Sequence, residues 1–190
     1  VLGPSEGRVA LLAGPVSTPK GTGPQRNATF TSFDLTDRVK LQVNAGSGNV
    51  LIRTTDLVLP GLKDNLVLGT AYNSLLVGSD VEIGAQGRGW RSRAGADVEL
   101  IKADDGSLTY VASDGVVGRF TVNGSGYTTP TEFKGTMAKD GDGWKFTENE
   151  SGRELYFTSA GLLDRTLDRN DNVTDYTYNA AGELTKVVSD

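Results

Sequence analysis

Alternation of apolar and polar residues from Phe30 onward predicts a series of β-strands. Successive side chains on a strand point to opposite faces, so alternation is typical of strands with one buried face. The pattern predicts strands at 39–43, 50–59, 65–72, 97–102, 107–112, 117–122, 144–147, 154–158, 173–178 and 184–188. Helical periodicity is not evident, and the segment Thr136–Lys139 is too short for a helix. The chain is therefore predicted to be all-β, with antiparallel hairpins.

Asp-Gly and Asn-Gly pairs between these strands predict tight hairpin turns. Both residue types tolerate the positive φ that short turns require. The pairs stand at 105–106, 114–115, 123–124 and 142–143. They predict that the middle of the chain is a run of consecutive hairpins.

The end of the chain repeats itself with a period of 21 residues. Residues 150–161 align with residues 171–182, which places Gly161 over Gly182. The other matches are Leu155 with Tyr176, Phe157 with Tyr178, and Ala160 with Ala181. A period near 20 indicates a stacked array of small structural units, which more often forms a scaffold than a catalyst.

This repeat resembles that of the Rhs / YD-repeat family, G-x-L-x-x-x-x-D-x-x-G-N-x-T-x-Y-x-Y-D-x-x-G-x-L. The matching residues are Gly161, Leu163, Asp168, Asn172, Thr174, Tyr176, Tyr178, Gly182 and Leu184. The sequence departs from the pattern at Asp171, where the family has glycine, and at Asn179, where it has aspartate. Upstream, the stretches 43–61, 65–75 and 87–90 are similar to the module that precedes the first repeats in secreted actinobacterial members. The resemblance covers roughly residues 33–190.

The resemblance implies three parts and a scaffold function. Residues 1–28 are an extended leader rich in Pro and Gly, residues 29–150 a β-rich capping module, and residues 151–190 two repeats. In the family, repeats form a long curved β-sheet that spirals into a hollow shell around a C-terminal toxin or effector. The expected partners are therefore further repeats and an enclosed effector, and the expected location is secreted or at a bacterial cell surface.

In this interpretation the repeat residues have structural roles. The predicted inter-strand ladder comprises Leu155, Phe157, Leu163, Tyr176, Tyr178 and Leu184. The predicted turn residues are Gly152, Gly161, Asp168, Asn172 and Gly182. Tyr176 and Tyr178 are two apart on a strand, so both should face the preceding repeat, opposite Thr177. The last strand would have an open edge, which predicts self-association of the isolated segment.

Composition removes several functional classes. The 190 residues include no histidine and no cysteine, which excludes a Ser-His-Asp triad, a cysteine nucleophile and thiolate metal sites. The net charge is −5 and the basic residues are scattered, so no nucleic-acid partner is predicted. No stretch is long and apolar enough to span a membrane. The first residues lack the charged-then-apolar order of a signal peptide.

Three groups of side chains suggest chemistry, each beside a structural alternative. Asp168, Asn170, Asp171 and Asn172 resemble a calcium loop, but Val173 occupies the glycine position and Asn179 the distal carboxylate position, which favours a hairpin turn. Asp140, Asp142 and Glu148 would suit a glycosidase only if two carboxylates converged, and the structural alternative is turn aspartates with a solvent-exposed glutamate. Trp90 and Trp144, with the six tyrosines, form either a ligand platform or core packing.

The sequence therefore favours a non-catalytic scaffold that requires no metal or cofactor. A cell-surface adhesion or carbohydrate- or protein-binding β module is the alternative, for which Trp90 and Trp144 are the candidate ligand aromatics. A carboxylate-based enzyme is the third hypothesis.

Overall fold

The computed structural model describes residues 20–25, 28–60, 65–79, 84 and 86–189. Within them the chain forms seventeen strands and one 3-10 turn, Ser74–Leu76, so the predicted all-β class is confirmed. The strands are β1 (Phe30–Asp34), β2 (Val39–Asn44), β3 (Val50–Thr54), β4 (Leu57–Leu59), β5 (Leu66–Leu68), β6 (Thr70–Asn73), β7 (Trp90–Ser92), β8 (Glu99–Lys102), β9 (Leu108–Val111), β10 (Val117–Asn123), β11 (Gly126–Thr128), β12 (Gly135–Asp140), β13 (Gly143–Glu148), β14 (Glu154–Phe157), β15 (Leu163–Leu167), β16 (Val173–Tyr178) and β17 (Leu184–Ser189). No helix in this part of the chain is long and apolar enough to cross a membrane.

All pairings between these strands are antiparallel, and most join neighbours in sequence. One sheet has the order β1-β2-β3-β6-β7, a second β11-β10-β9-β8, and a third β12-β13-β14-β15-β16-β17. The ribbon β4-β5 is a separate two-stranded sheet inserted between β3 and β6. Short hairpin connections therefore account for nearly the whole topology.

The strand predictions were wrong in two places, where a single predicted strand is two. The range 50–59 divides because β3 pairs with β2 and β6, whereas β4 leaves that sheet to pair with β5. The range 65–72 divides at Gly69, where a Cβ atom would lie 2.3 Å from the Thr54 carbonyl oxygen. This close approach allows the backbone to pass from the ribbon back into the five-stranded sheet.

Five strands were missed by the sequence prediction: β1, β7, β11, β12 and β15. The segment Thr136–Lys139, examined as a short helix, belongs to β12, which pairs along its whole length with β13. β15 carries only two buried side chains among five residues, so its own pattern is weak. These strands owe their conformation to pairing with neighbours rather than to local propensity.

The main core lies between the four-stranded and the six-stranded sheets. Its buried side chains from the four-stranded sheet and the residue before it are Val98, Leu100, Leu108, Tyr110 and Phe120. Those from the six-stranded sheet are Met137, Trp144, Phe146, Leu155, Phe157 and Leu163. The core therefore unites the predicted capping module with the first repeat strands in one apolar interior.

A smaller core covers the opposite face of the four-stranded sheet. Ile101, Val111 and Val117 pack there with Leu76 from the 3-10 turn. Ile101 and Val111 follow Leu100 and Tyr110, members of the main core, so both faces of β8 and β9 are buried.

Residues near the end of the predicted leader are packed against the capping module. Thr22 is fully buried, and its hydroxyl oxygen accepts a hydrogen bond from the Val117 amide at 3.2 Å. The Gly23 amide donates to Asn73 Oδ1 at 2.6 Å, and Asn49 Nδ2 donates to the same oxygen at 3.0 Å. The described packed unit therefore includes part of that leader, whose residues 1–19, 26 and 27 lie outside the described residues.

The capping module meets the repeats at the turn that contains Gly161. The Leu100 amide donates to the Gly161 carbonyl oxygen at 2.8 Å, and Glu99 forms an isolated bridge with Leu162. Gly161 has φ +83°, and a Cβ atom there would lie 2.0 Å from the Leu100 carbonyl oxygen. Only glycine satisfies both the left-handed backbone and this contact.

Gly161 and Gly182 offer a matched pair of alanine substitutions to measure this junction. Gly182 has φ +77° and no neighbour within 4 Å of a built Cβ atom, so Gly182→Ala should lose only about 1–2 kcal/mol from the left-handed backbone. Gly161→Ala has the same unfavourable backbone conformation and must also displace Leu100, so its free energy of unfolding should fall by a further amount of about 1–3 kcal/mol. Urea unfolding of both variants measures the difference. Equal losses would contradict docking of the Gly161 turn on β8.

Candidate functional site

The two repeat hairpins, β14–β15 and β16–β17, have the same internal register. Phe157 pairs with Leu163 in the first hairpin, and Tyr178 pairs with Leu184 in the second. In each hairpin the register shifts just before this pair, between Tyr156 and Phe157 or between Thr177 and Tyr178. The 21-residue period of the sequence is therefore a period of the structure.

The turns of the two hairpins also share their hydrogen bonds. In the first, the Thr158 amide donates to the Leu162 carbonyl and the Gly161 amide donates to the Thr158 carbonyl, both at 2.9 Å. In the second, Asn179 makes the same two bonds with Glu183 and Gly182, both at 3.0 Å. A glycine of positive φ thus holds the fourth position of each turn.

The turn between the hairpins, residues 168–172, uses the same two bonds with a different residue in the strained position. The Asp168 amide donates to the Asn172 carbonyl and the Asp171 amide to the Asp168 carbonyl, both at 3.1 Å. Asp171 therefore takes φ +61°, and it is the one non-glycine residue of positive φ in the described chain. This is the position where the sequence departs from the glycine of the repeat pattern.

Burial of the ladder residues decreases from the first hairpin to the second. Leu155, Phe157 and Leu163 belong to the main core, whereas Tyr176, Tyr178 and Leu184 are half-buried. Gly152, the remaining predicted turn residue, has φ +69° in the turn between β13 and β14.

Tyr176 and Tyr178 lie on one face of β16, with Thr177 exposed on the other. Tyr176 packs against the main core and contacts the capping module, where its Cε1 lies 2.6 Å from a Cβ atom built at Gly95. The Tyr178 hydroxyl is enclosed and has no hydrogen-bond partner among the described residues. Burial raises the pKa of both tyrosines.

The opposite face of the six-stranded sheet carries a polar ladder across β13, β14 and β15. Lys145 Nζ lies 2.9 Å from Glu154 Oε1, and the Tyr156 hydroxyl donates to Glu154 Oε2 at 2.6 Å. These two hydrogen bonds, that of Tyr156 first, lower the pKa of Glu154. The Arg165 guanidinium lies 4.2 Å from the centre of the Tyr156 ring. These cross-strand contacts fix the register of the sheet.

β17 is the last strand of the six-stranded sheet, and no described residue pairs with its outer edge. Val188 is 42% exposed on this strand, and the exposed charged residue there is Lys186. An unpaired edge presents a row of backbone donors and acceptors to another strand. The backbone groups at this edge, with the two hairpins behind it, are therefore suited to pairing with a further strand.

The Asp168 carboxylate is occupied by its own turn. Asp168 Oδ1 accepts hydrogen bonds from the amides of Asn170 at 2.7 Å and Asn172 at 3.0 Å, and Oδ2 accepts one from Asn172 Nδ2. The hydrogen bond from the backbone amide of Asn172 is the main cause that lowers the Asp168 pKa to about 2. No group of three or more His, Cys, Asp or Glu side chains in the described chain is arranged to hold a metal ion.

Glu148 lies apart from the other two candidate glycosidase carboxylates. Asp140 and Asp142 flank the turn where β12 pairs with β13 at Asp140 and Gly143. Glu148 lies at the other end of the same hairpin, paired with Gly135, about 17 Å away at the usual rise per strand residue. Glu148 therefore does not form a carboxylate pair with Asp140 or Asp142.

The two tryptophans have different environments. Trp144 is 3% exposed, and its Nε1 donates to the Tyr127 hydroxyl at 3.1 Å, so its role as a ligand aromatic is corrected to core packing. Lys139 covers the same ring at 3.9 Å. Trp90 is half-buried and stacks on Tyr72 with ring centres 5.1 Å apart.

A cleft of about 260 Å³ beside the main core was missed by sequence reasoning. Its lining includes Tyr110, Phe133 and Phe146, with Glu132, Lys134 and Glu148 among the polar residues. Phe133 is half-buried in a loop that packs on Gly118, where a Cβ atom would lie 2.9 Å from the ring. The cleft combines residues from β9, β13 and a loop, so no local motif could have indicated it.

Replacement of Asp171 by glycine should stabilise the protein. A non-glycine residue at positive φ destabilises the folded state, and glycine would remove that strain. Glycine also increases the conformational entropy of the unfolded chain, so the net gain in the free energy of unfolding is about 0.5–1 kcal/mol. Asp171→Ala is the control because it removes the same charge but keeps a Cβ atom. Urea unfolding should show a gain for Asp171→Gly alone; equal effects would mean that charge, not backbone conformation, matters.

The Asp168 turn should make stability depend on acid pH. The lowered pKa means that the unfolded chain takes up the proton first, with a usual pKa of 3.8. The stabilisation is therefore present above that pH and is lost as the pH falls toward about 2. Asp168→Asn removes this titration, so its stability should fall less than that of the parent over this range. Parallel urea-unfolding profiles for the two proteins would contradict the assignment.

Comparisons with known proteins match the capping module and much of the chain. Residues 41–120 match a family described as a domain of unknown function, DUF6531. The chain is 30% identical over 145 residues to the tRNA nuclease WapA of Bacillus subtilis strain 168 and to the tRNA3(Ser)-specific nuclease WapA of Bacillus spizizenii. The match covers 76% of this chain but 6% of each relative. The chain is thus similar to a small part of two proteins named as tRNA nucleases.

Proposed function

We propose that this segment is the non-catalytic scaffold of a larger Rhs / YD-repeat toxin, in which the capping module starts an array of repeats. The observation that carries the proposal is the pair of equivalent hairpins, followed by an edge of β17 with which no described residue pairs. Each new hairpin would continue the sheet from that edge. The capping module would protect the first unit, as terminal units of an array require.

The similarity to WapA supports a toxin context. Those relatives are named as tRNA nucleases, and the chain matches 6% of their length. We therefore assign nuclease or other effector chemistry to a different part of the parent protein, enclosed by or attached to the repeats. A secreted or cell-surface location follows from the same proposal.

The absence of histidine also favours a scaffold. A general base of that type is missing from the whole chain, and Glu148 lies at the opposite end of its hairpin from Asp140 and Asp142. The lowered pKa of the Asp168 carboxyl group is explained by hydrogen bonds within its own turn.

The array function can be tested by extending the chain with its own repeat. A second copy of residues 170–190 placed directly after residue 190 keeps the 21-residue phase. If the segment starts an array, the added β16-like strand will pair with β17. Backbone amides of β17 should then exchange with deuterium more slowly, and the melting temperature should rise because more apolar surface is buried.

The matched control carries the same 21 added residues in scrambled order. It tests whether added chain length alone protects β17. Equal exchange rates in the extended and the scrambled protein would contradict the array proposal. Protection in both would show that the edge accepts strands without selecting the repeat.

A ligand-binding β module is the second candidate, and the cleft beside Phe133 is the observation in its favour. Aromatic side chains of the core and polar side chains at the surface line it together, as in many binding clefts. This function would use a surface remote from the β17 edge, so the extension experiment would leave it unaffected.

A further inference from the structure

Two basic side chains lie directly opposite each other in the five-stranded sheet. Lys40 on β2 is the cross-strand partner of Arg53 on β3. Like charges in directly opposite positions repel and destabilise an antiparallel pair. Lys40 relieves part of this by an ion pair of 3.1 Å with Asp34 on β1.

Arg53 has no such relief among the described residues, and a second guanidinium lies near it. Arg53 Nη2 donates to the neutral Gln42 Oε1 at 2.7 Å. Arg93 Nη1 donates to the Thr54 carbonyl oxygen at 2.7 Å and to Thr55 Oγ1 at 3.0 Å. In the described chain neither arginine makes an ion pair with a carboxylate. Burial first, and then the Arg53 charge, lower the pKa of Arg93.

These side chains open onto one cleft of about 270 Å³. Its lining includes the cations Arg38, Lys40, Arg53 and Arg93, and the carboxylates Asp34 and Asp37. Both carboxylates are strongly exposed and ion-paired, Asp34 with Lys40 and Asp37 with Arg38 at 3.9 Å. Four positive and two negative groups leave the lining with a formal charge of +2.

Asp114, a half-buried carboxyl group that does not line this cleft, lies within the electrostatic reach of Arg53 and Arg93. Burial raises its pKa, and its Oδ1 accepts a hydrogen bond from the Val116 amide at 3.2 Å. The charged groups that line the cleft itself remain net positive.

We propose that this cleft binds a phosphate group, free or as an ester, between Arg53, Arg93 and Lys40. Guanidinium groups match the paired oxygens of phosphate, and charge-assisted hydrogen bonds are stronger than those that Arg53 and Arg93 make with neutral oxygens. The Thr55 hydroxyl oxygen accepts from Arg93, so its proton is free to donate to the anion. The lining charge of +2 would balance the −2 charge of a phosphate monoester dianion.

Phosphate binding would also explain why the chain tolerates the repulsion between Lys40 and Arg53. A bound dianion would attract both cations and so offset their mutual repulsion, and it would stabilise the folded state by mass action. The proposal rests on the capping module alone. It holds or fails independently of the repeat array.

Titration of the intact chain with inorganic phosphate at constant ionic strength tests the site. Amide and arginine side-chain NMR signals of Arg53, Arg93 and Thr55 should shift with saturation, whereas sodium chloride at the same ionic strength should leave them unchanged. Glycerol phosphate and dimethyl phosphate, in separate arms, distinguish a monoester from a diester. Tighter binding of glycerol phosphate is expected, since it carries the larger charge.

Arg53→Gln should weaken phosphate binding at least about tenfold, which corresponds to about 1.4 kcal/mol. Lys40→Gln, at a more exposed position, gives a second reading if Arg53→Gln unfolds. Arg119→Gln is the matched control, because Arg119 is paired with Asp105 on another sheet. Unchanged affinity in Lys40→Gln and Arg53→Gln, or signal shifts that chloride reproduces, would overturn the proposal.

Discussion

The contact of the Gly161 turn with β8 is the constraint on which the arrangement of this chain depends. It adds one backbone hydrogen bond and one bridge to the pairing of β13 with β14, which also joins the capping module to the first repeat unit. The contact is possible because Gly161 has no side chain, so β8 approaches within the space of a Cβ atom. Once it is made, Leu100 and Leu163 enter the same core, and the two sheets close over it.

The 21-residue period follows from this geometry rather than from a chance likeness of letters. Two turns with the same pair of hydrogen bonds, and two strands with one register shift, consume a fixed number of residues per unit. Glycine recurs at the left-handed position because any other residue there is destabilised by its Cβ atom. Asp171 adopts the left-handed conformation despite its Cβ atom, and the turn persists because the Asp168 carboxylate accepts three hydrogen bonds within it.

Local signals in the sequence predicted the parts of the structure that local physics decides. Alternation predicted the β class, and the Asp-Gly and Asn-Gly pairs predicted the hairpins, but at 142–143 the glycine of positive φ is Gly141 and Gly143 belongs to β13. Properties that depend on distant residues were not accessible. The burial of Trp144 requires Tyr127 and the facing sheet, and the opposition of Lys40 and Arg53 requires the β2–β3 register. β12 alternates weakly by itself and becomes a strand because β13 pairs with it.

The second repeat unit is less complete than the first, and the reason is physical. Leu163 is 1% exposed as a member of the main core, whereas its equivalent, Leu184, is half-buried. The same difference separates Phe157 from Tyr178, whose hydroxyl is enclosed without a partner in the described chain. A unit of this kind cannot bury its apolar face alone, so its stability depends on what is stacked against it. The capping module shares the main core with Leu155, Phe157 and Leu163 of the first unit, and at the second unit it contacts Tyr176 beside Gly95.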